Sequence, residues 1–195
     1  MTTGVRKYSV EEFVEELRRL PESAFSGTSH VLDFLTGFPV DPASLQSYLV
    51  WDHQHYTRNL IDKTPIYELM AICWESGQAS SVHNHKDQNC WMAVPIGRLL
   101  VENYSVMDQN LHAGRCHIQR TVTSELNPNC PQAVDPGAPI HRVINPKKFN
   151  ERAVSLHVYS RPFDSCVVYS EENGTCGEIR LSFTSEFGKR PLQRR

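Results

Sequence analysis

Two histidines separated by one residue, in His83-Asn-His85, are the first sign of chemistry in this chain. On a β-strand successive side chains alternate faces, so both imidazoles would point to one side, where two nitrogen donors can chelate a metal. A second pattern sits in Ala153-Val-Ser-Leu-His-Val-Tyr159. As a strand it puts Ser155, His157 and Tyr159 on one face and Val154, Leu156 and Val158 on the other. Three polar side chains in a row suit a hydrogen-bonded array that orients a phenol beside a metal; the alternative is that this face is simply the wet one. If His83 and His85 line an interior, the first reading is favoured.

The flanking residues extend the pattern. Gly77, His83, His85, Cys90 and Gly97 are spaced in a way that resembles the first signature of the cupin superfamily, with Cys90 where many cupins carry a metal-binding glutamate. Pro136, His141 and Asn145 resemble the second signature, with Ala138 where glycine is usual. The resemblance implies that His141 is the remaining ligand. Three neutral histidines leave a divalent metal's charge uncompensated, unlike the two-histidine, one-carboxylate site of most non-haem iron oxygenases. Such a centre favours anionic ligands, a thiolate among them, because coordination lowers a thiol's pKa. Positions beyond three protein ligands could accept sulfur, a second substrate atom and dioxygen. Zinc or a structural histidine cluster are the alternatives, although no carboxylate stands near as an evident base for a zinc hydrolase.

Something must hold these groups. Ser9-Val-Glu-Glu12 reads as a capping box ahead of Val10, Phe13, Val14, Leu17 and Leu20 at helical spacing, until Pro21 ends the helix. A second short helix is expected from Thr28 or Ser29 to Leu35, and a third from Asp41-Pro42. From Tyr56 onward the chain changes to short runs rich in Val, Ile, Tyr and Thr between Gly, Pro, Asn and Asp, as consecutive antiparallel strands do. Ten are expected, over 56–61, 67–74, 80–85, 91–96, 99–106, 117–126, 140–144, 153–159, 166–169 and 179–183, with Asn173-Gly174 as a turn between the last two. Pro95 inside one of them predicts an edge or a bulge. The fold class is therefore mainly β, a cupin-type antiparallel barrel or jelly roll with N-terminal helices packed on one side. We expect one domain over 1–195, with a helical part over 1–50, the barrel over 56–186 and a basic tail over 187–195.

Composition restricts the partners. The 195 residues carry 20 Lys and Arg, spread along the chain, against 22 Asp and Glu. Nothing predicts the basic face that nucleic acid or a membrane surface would need. No long charge-free run predicts a membrane span, and the start lacks an apolar leader, so a cytosolic protein is expected. Cys73, Cys90, Cys116, Cys130, Cys166 and Cys176 form no paired spacing of a structural zinc site, and the expected compartment argues against disulfides.

Taken together, Tyr56-Thr-Arg-Asn-Leu60, Cys73-Trp74, Ser80-Ser-Val-His-Asn-His85, Cys90, Ile140-His-Arg-Val143, Ala153-Val-Ser-Leu-His-Val-Tyr-Ser160 and Pro162-Phe-Asp-Ser-Cys166 resemble the cysteine dioxygenases. That resemblance implies an iron(II) enzyme that adds both atoms of dioxygen to the sulfur of L-cysteine, giving cysteine sulfinic acid, and that acts as a monomer. It implies His83, His85 and His141 as metal ligands and Arg58, assisted by Tyr56, as the group that binds the substrate carboxylate. It further implies a thioether between Cys90 and Tyr159 as a protein-derived cofactor, with His157 and Ser155 orienting the tyrosine hydroxyl. Ser160-Arg161-Pro162 stands where the animal enzymes usually read Ser-Pro-Pro around a cis bond, and Arg161 makes a cis bond after Ser160 costlier. The competing readings are a related dioxygenase acting on 3-mercaptopropionate or another small thiol, and a non-catalytic cupin that binds metal or thiol. His53, His55, His112 and His117 have no partner at a metal-binding spacing, and Cys166 has no assigned role.

Overall fold

The computed structural model describes residues 6–128, 130–134 and 140–190. Pro136 and Ala138 of the second signature, and residues 191–195 of the basic tail, lie outside them.

The N-terminal quarter folds as its caps dictate. Ser9 Oγ accepts from the Glu12 backbone N–H at 3.1 Å, and the Glu12 carboxylate accepts from the Ser9 N–H at 2.8 Å. This capping box satisfies two otherwise orphaned donors and starts α1 (Val10–Arg19). α1 buries Val10, Phe13 and Leu17; α2 (Ser29–Gly37) buries Val31, Phe34 and Leu35. Asp41 caps the third segment through Ala43 N at 3.2 Å with Pro42 next, but the coil that follows, Pro42–Tyr48, is a 3₁₀ helix rather than the expected α-helix. A further 3₁₀ turn, Glu22–Phe25, follows Pro21 and was not expected.

Twelve strands follow: β1 (Thr57–Lys63), β2 (Glu68–Trp74), β3 (Val82–His83), β4 (Asn89–Ile96), β5 (Leu99–Asn110), β6 (Arg115–Leu126), β7 (Gln132–Ala133), β8 (Ile140–Ile144), β9 (Ala153–Ser160), β10 (Ser165–Ser170), β11 (Thr175–Arg180) and β12 (Ser185–Glu186). They form two groups. One is a six-stranded sheet in the order β12-β1-β2-β9-β4-β7; the other runs β10-β11-β6-β5-β8-β3 and returns to β10. Pairing is antiparallel except between β1 and β12. Among the described residues no ladder joins the two groups, so the fold is a two-layer jelly roll, not one continuous barrel.

β9 lies near the middle of the first sheet, paired to β2 on one side and β4 on the other. One face of this sheet, through Leu69, Ala71, Cys73, Val154, Leu156 and Val158, packs on the helices. The opposite face carries Met70, Ile72, Trp74, Cys90, Met92 and Tyr159 toward Leu99, Val101 and Val143 of the second group. The expected alternation along β9 is therefore real, and both faces are buried: the apolar one under helices, the polar one inside the roll. Arg18 of α1 clamps the sheet from outside. Its Nε and Nη2 donate to Asp62 at 3.0 and 2.5 Å, and Tyr67 Oη donates to the same carboxylate at 2.6 Å, next to a register shift in β1.

Several strand expectations need correction. The run at 80–85 contains a two-residue strand, so His85 is off the strand, and Lys86 and Asp87 turn the chain immediately after it with positive φ angles of 53° and 61°. The strand placed at 179–183 is Thr175–Arg180 instead, because the Asn173-Gly174 turn closes a tight hairpin and pairing begins at once, Ser170 against Thr175. β5 and β6 reach past their expected ends as an outlying hairpin, whose exposed faces carry no apolar alternation to read. β7 and β12, two residues each, were not expected. Pro95 does mark an irregularity: the β4 to β9 register shifts between Ala93 and Ile96.

Candidate metal centre and its cavity

β3 places the first ligand. His83 stands opposite His141 of β8 on one side and Val168 of β10 on the other. Asn84 between the two histidines is structural: its Oδ1 accepts from Val167 N at 2.9 Å. Ser80 ties the same segment to β8, accepting from Val143 N at 3.0 Å while its own N–H donates to Val143 O at 2.9 Å. These bonds bring His85 beside the other two although it has left the strand. Gly77 and Asn145 from the two signatures close the far end of the segment. Asn145 O accepts from Gly77 N at 2.7 Å, and the Asn145 amide donates to Trp74 O at 3.1 Å and Glu151 O at 2.8 Å. Gly97 is required by its turn: φ is +68°, and a Cβ there would lie 2.5 Å from Arg152 O.

The three imidazoles converge. Ring centroids are 4.8, 4.9 and 5.1 Å apart with steep mutual angles of 89°, 69° and 78°, and one nitrogen from each lies within 4.8 Å of the others. Both ring nitrogens of His85 and of His141 are buried without a hydrogen-bond partner, which is costly unless something else takes their lone pairs. His83 Nδ1 lies 2.9 Å from Ser81 O, so it carries the hydrogen and leaves Nε2 as a donor to metal. Burial, reinforced among the three by the neighbouring rings for His85 and His141, pushes all three below the ordinary histidine range and keeps them neutral. A metal cation fits this donor set.

The cavity in front of the histidines holds about 560 Å³ of empty space including its mouth, and its walls include Tyr56, Arg58, Trp74, His157, Tyr159 and Phe163. Arg58 makes one side-chain hydrogen bond among the described residues, to Ser182 O at 3.3 Å, and lies over the Phe183 ring at 5.4 Å, with no ion pair. Most of its donors are therefore open to a carboxylate. Tyr56 stacks on Trp74 with centroids 4.7 Å apart. Burial raises its phenol, opposed by Arg58.

Along one wall of the cavity runs a buried hydrogen-bonded row. Trp74 Nε1 donates to Ser155 Oγ at 2.9 Å, Ser155 Oγ is 2.9 Å from His157 Nε2, and His157 Nδ1 is 3.0 Å from Tyr159 Oη. Tyr159 packs beside His85 at 5.6 Å and edge-on to Phe163 at 5.2 Å. Cys90 is wholly buried and directly opposite Tyr159 across β4 and β9. Burial holds the Cys90 thiol and the Tyr159 phenol well above their ordinary values, so both are protonated near neutrality. All six cysteines are free thiols.

The structure brings together every residue proposed for the site: His83, His85, His141, Arg58, Tyr56, Ser155, His157, Tyr159 and Cys90. Cys166 also lines the cavity. His53, His55, His112 and His117 are exposed and away from it. The peptide between Ser160 and Arg161 is cis. Arg161 reaches Glu22 at 2.8 Å. Trp74 and Phe163 stand within the motifs quoted from the sequence but receive no role there; the tryptophan's period-two relation to Ile72 and Met70 on an apolar strand signals only burial. A larger depression elsewhere is lined by Phe13, Leu35, Phe38, Pro95 and Pro131, with Lys7 as its one charged side chain among the described residues, and offers no comparable chemistry.

The chain is similar to several known proteins. The family described as cysteine dioxygenase type I matches residues 2–172. The chain is 28% identical over 190 residues to cysteine dioxygenase type 1 of Danio rerio, covering 97% of this chain and 92% of that one. It is 31% identical over 180 residues to the Rattus norvegicus protein of the same name, covering 90% and 88%. A solved double-stranded β-helix protein from Klebsiella pneumoniae aligns over 70% of this chain and 88% of its own, with 14% identity and a TM-score of 0.46.

Proposed function

Since the chain belongs to the cysteine dioxygenase type I family, we propose that its cavity is where L-cysteine thiol and dioxygen combine to give cysteine sulfinic acid, both oxygen atoms joining sulfur. It is a cysteine dioxygenase, and the observation that carries the location is the convergence of three neutral imidazoles, those of His85 and His141 buried without a hydrogen-bond partner, beside a small cavity that Arg58 and Tyr159 also line. His83, His85 and His141 would hold iron(II), which would supply redox chemistry toward dioxygen and the positive charge that favours a thiolate.

The chain's own groups do the rest. The Arg58 guanidinium clamps the substrate carboxylate through its open donors, and Tyr56 fills the same end. That contact fixes where sulfur lies, and orientation of this kind accounts for much of an enzyme's advantage. Tyr159 presents a protonated hydroxyl beside the reacting atoms, and His157, held in turn by Ser155, keeps that hydroxyl in place. Apolar walls from Phe163, Ile72 and Val143 limit water.

A thioether between Cys90 Sγ and a ring carbon of Tyr159 belongs to this reading. Its formation removes the thiol hydrogen and one ring hydrogen, makes one carbon–sulfur bond, and passes two electrons to dioxygen. The position of the two residues opposite one another supports it. The family reading also carries a cytosolic monomer without nucleic-acid or membrane partners. No helix among the described residues is long and apolar enough to cross a membrane.

The test is direct. The protein is loaded anaerobically with iron(II), L-cysteine is added, air is admitted, and oxygen uptake is followed with the sulfur product. Cysteine sulfinic acid in step with oxygen consumed is the expected result. Cysteine that binds and is left unchanged would instead support a binding-only cupin.

A further inference from the structure

The row from Trp74 to Tyr159 has a direction that the hydrogen count determines. Trp74 Nε1–H can only donate, and it donates to Ser155 Oγ. Ser155 is wholly buried, and among the described residues its hydroxyl meets Trp74 and His157 only. With one lone pair filled by the indole, the serine hydrogen has a single acceptor in reach, His157 Nε2 at 2.9 Å. A buried hydroxyl hydrogen left without an acceptor is costly, so Ser155 donates there.

His157 is neutral: burial, assisted by His83, pushes it down to about 3. A neutral imidazole carries one hydrogen, and if Nε2 accepts, that hydrogen is on Nδ1. Nδ1–H then donates to Tyr159 Oη at 3.0 Å. Tyr159 consequently keeps its own hydroxyl hydrogen unspent on His157.

We infer that Trp74 is a positioning residue: its indole N–H fixes the Nδ1–H form of His157 through Ser155 and thereby frees the Tyr159 hydroxyl to donate into the cavity. In the reverse polarity Tyr159 would donate to His157 and the cavity would lose that donor. The indole N–H acts through Ser155 and His157, while the ring itself stacks on Tyr56 and lines the cavity. The inference rests on Tyr159 being the cavity's donor in the proposed reaction, but the hydrogen on His157 is measurable without thiol or dioxygen, so the two fail separately.

The experiment uses protein carrying ¹⁵N-labelled histidine and loaded with zinc(II), a closed-shell ion that keeps the resonances sharp. Two-bond ¹H–¹⁵N correlations assign the hydrogen to one nitrogen of His157. In the native protein the Nδ1–H form is expected in roughly tenfold or greater excess, the preference that one unsatisfied buried hydrogen bond imposes. Trp74→Phe keeps an aromatic ring against Tyr56 but removes the N–H, and Ser155→Ala removes the relay while sparing Trp74. Each is expected to bring the two forms within about threefold of one another. Should Trp74→Phe fail to fold, Ser155→Ala and the native protein still decide. Native His157 with its hydrogen on Nε2, or either folded variant with an unchanged Nδ1–H excess, overturns the inference.

Discussion

Cys90 on β4 and Tyr159 on β9 are directly opposite residues of an antiparallel pair, and Glu68 on β2 is opposite Tyr159 from the other side. Opposite residues share a face, with Cβ atoms roughly 5 Å apart, so thiol, phenol and carboxyl form one row across three strands inside the roll. The first prediction follows from the Cys90 end. After turnover with iron(II), cysteine and dioxygen, a fraction of the chains should be lighter by two hydrogens, with Cys90 and Tyr159 in one joined peptide by mass spectrometry. Cys90→Ala should abolish that species and, because His157 still holds the phenol, lower kcat less than about tenfold. Tyr159→Phe should lower kcat by roughly 10² or more, the usual scale for losing a positioned proton donor.

Arg58 divides substrates. Arg58→Gln should lower kcat/KM for L-cysteine roughly 10- to 100-fold, the value of a charge-assisted hydrogen bond to a carboxylate. Cysteamine, which lacks the carboxylate, should lose less than about threefold, since the removed contact was never made. Equal losses in steady-state assays of both thiols would sink the assignment of Arg58.

Glu68 makes stability fall as pH rises. It is fully buried, both carboxyl oxygens lack a hydrogen bond, and Lys63 Nζ stands 3.3 Å away without hydrogen-bond alignment. Burial raises its pKa, and Lys63 only partly opposes this. The folded protein therefore holds a proton that the unfolded chain releases above about 4.3, and stability present below that value is lost as pH climbs through the raised folded pKa. Glu68→Gln should remove this dependence. Thermal unfolding of the two proteins between about pH 4 and pH 8 measures it, and parallel curves would contradict it.

Asp62 has the opposite sign. Burial works against its charge, but the hydrogen bonds from Arg18 and Tyr67 outweigh burial and lower its pKa. Its contribution is present above about 3.9 and disappears as pH falls through the lowered folded value. Asp62→Asn should cost about 2 kcal/mol at neutral pH, by loosening α1 from β1, and progressively less in acid. Denaturant unfolding at several pH values checks this.

Legibility of the fold and site tracked the physical strength of each signal. The α1 cap, the β9 alternation and the Asn173-Gly174 turn were readable because local chemistry dictates each one. Ser155, His157 and Tyr159 were readable because polar residues on a buried strand face contradict a plain core. His85 shows the limit: the period-two argument placed it correctly beside His83, yet it lies off the strand, held by contacts from β8 and β10 that no local pattern encodes. Trp74 and Glu68 were not read as parts of the site's surroundings because their partners are Ser155, 81 residues along the chain, and Tyr159 across a strand pair. β7 and β12 are too short to carry a period and owe their existence to their neighbours' edges.

The central claim is that this cavity dioxygenates cysteine at the three-histidine centre, and the most direct measurement is oxygen uptake with product analysis for the iron-loaded native protein and for His141→Ala. The account predicts one cysteine sulfinic acid per dioxygen consumed by the native protein, with both product oxygens labelled when ¹⁸O₂ is used. It predicts none from His141→Ala, whose remaining two imidazoles leave the metal weakly held. Oxygen consumed without sulfinic acid, or undiminished sulfinic acid from His141→Ala, would contradict it.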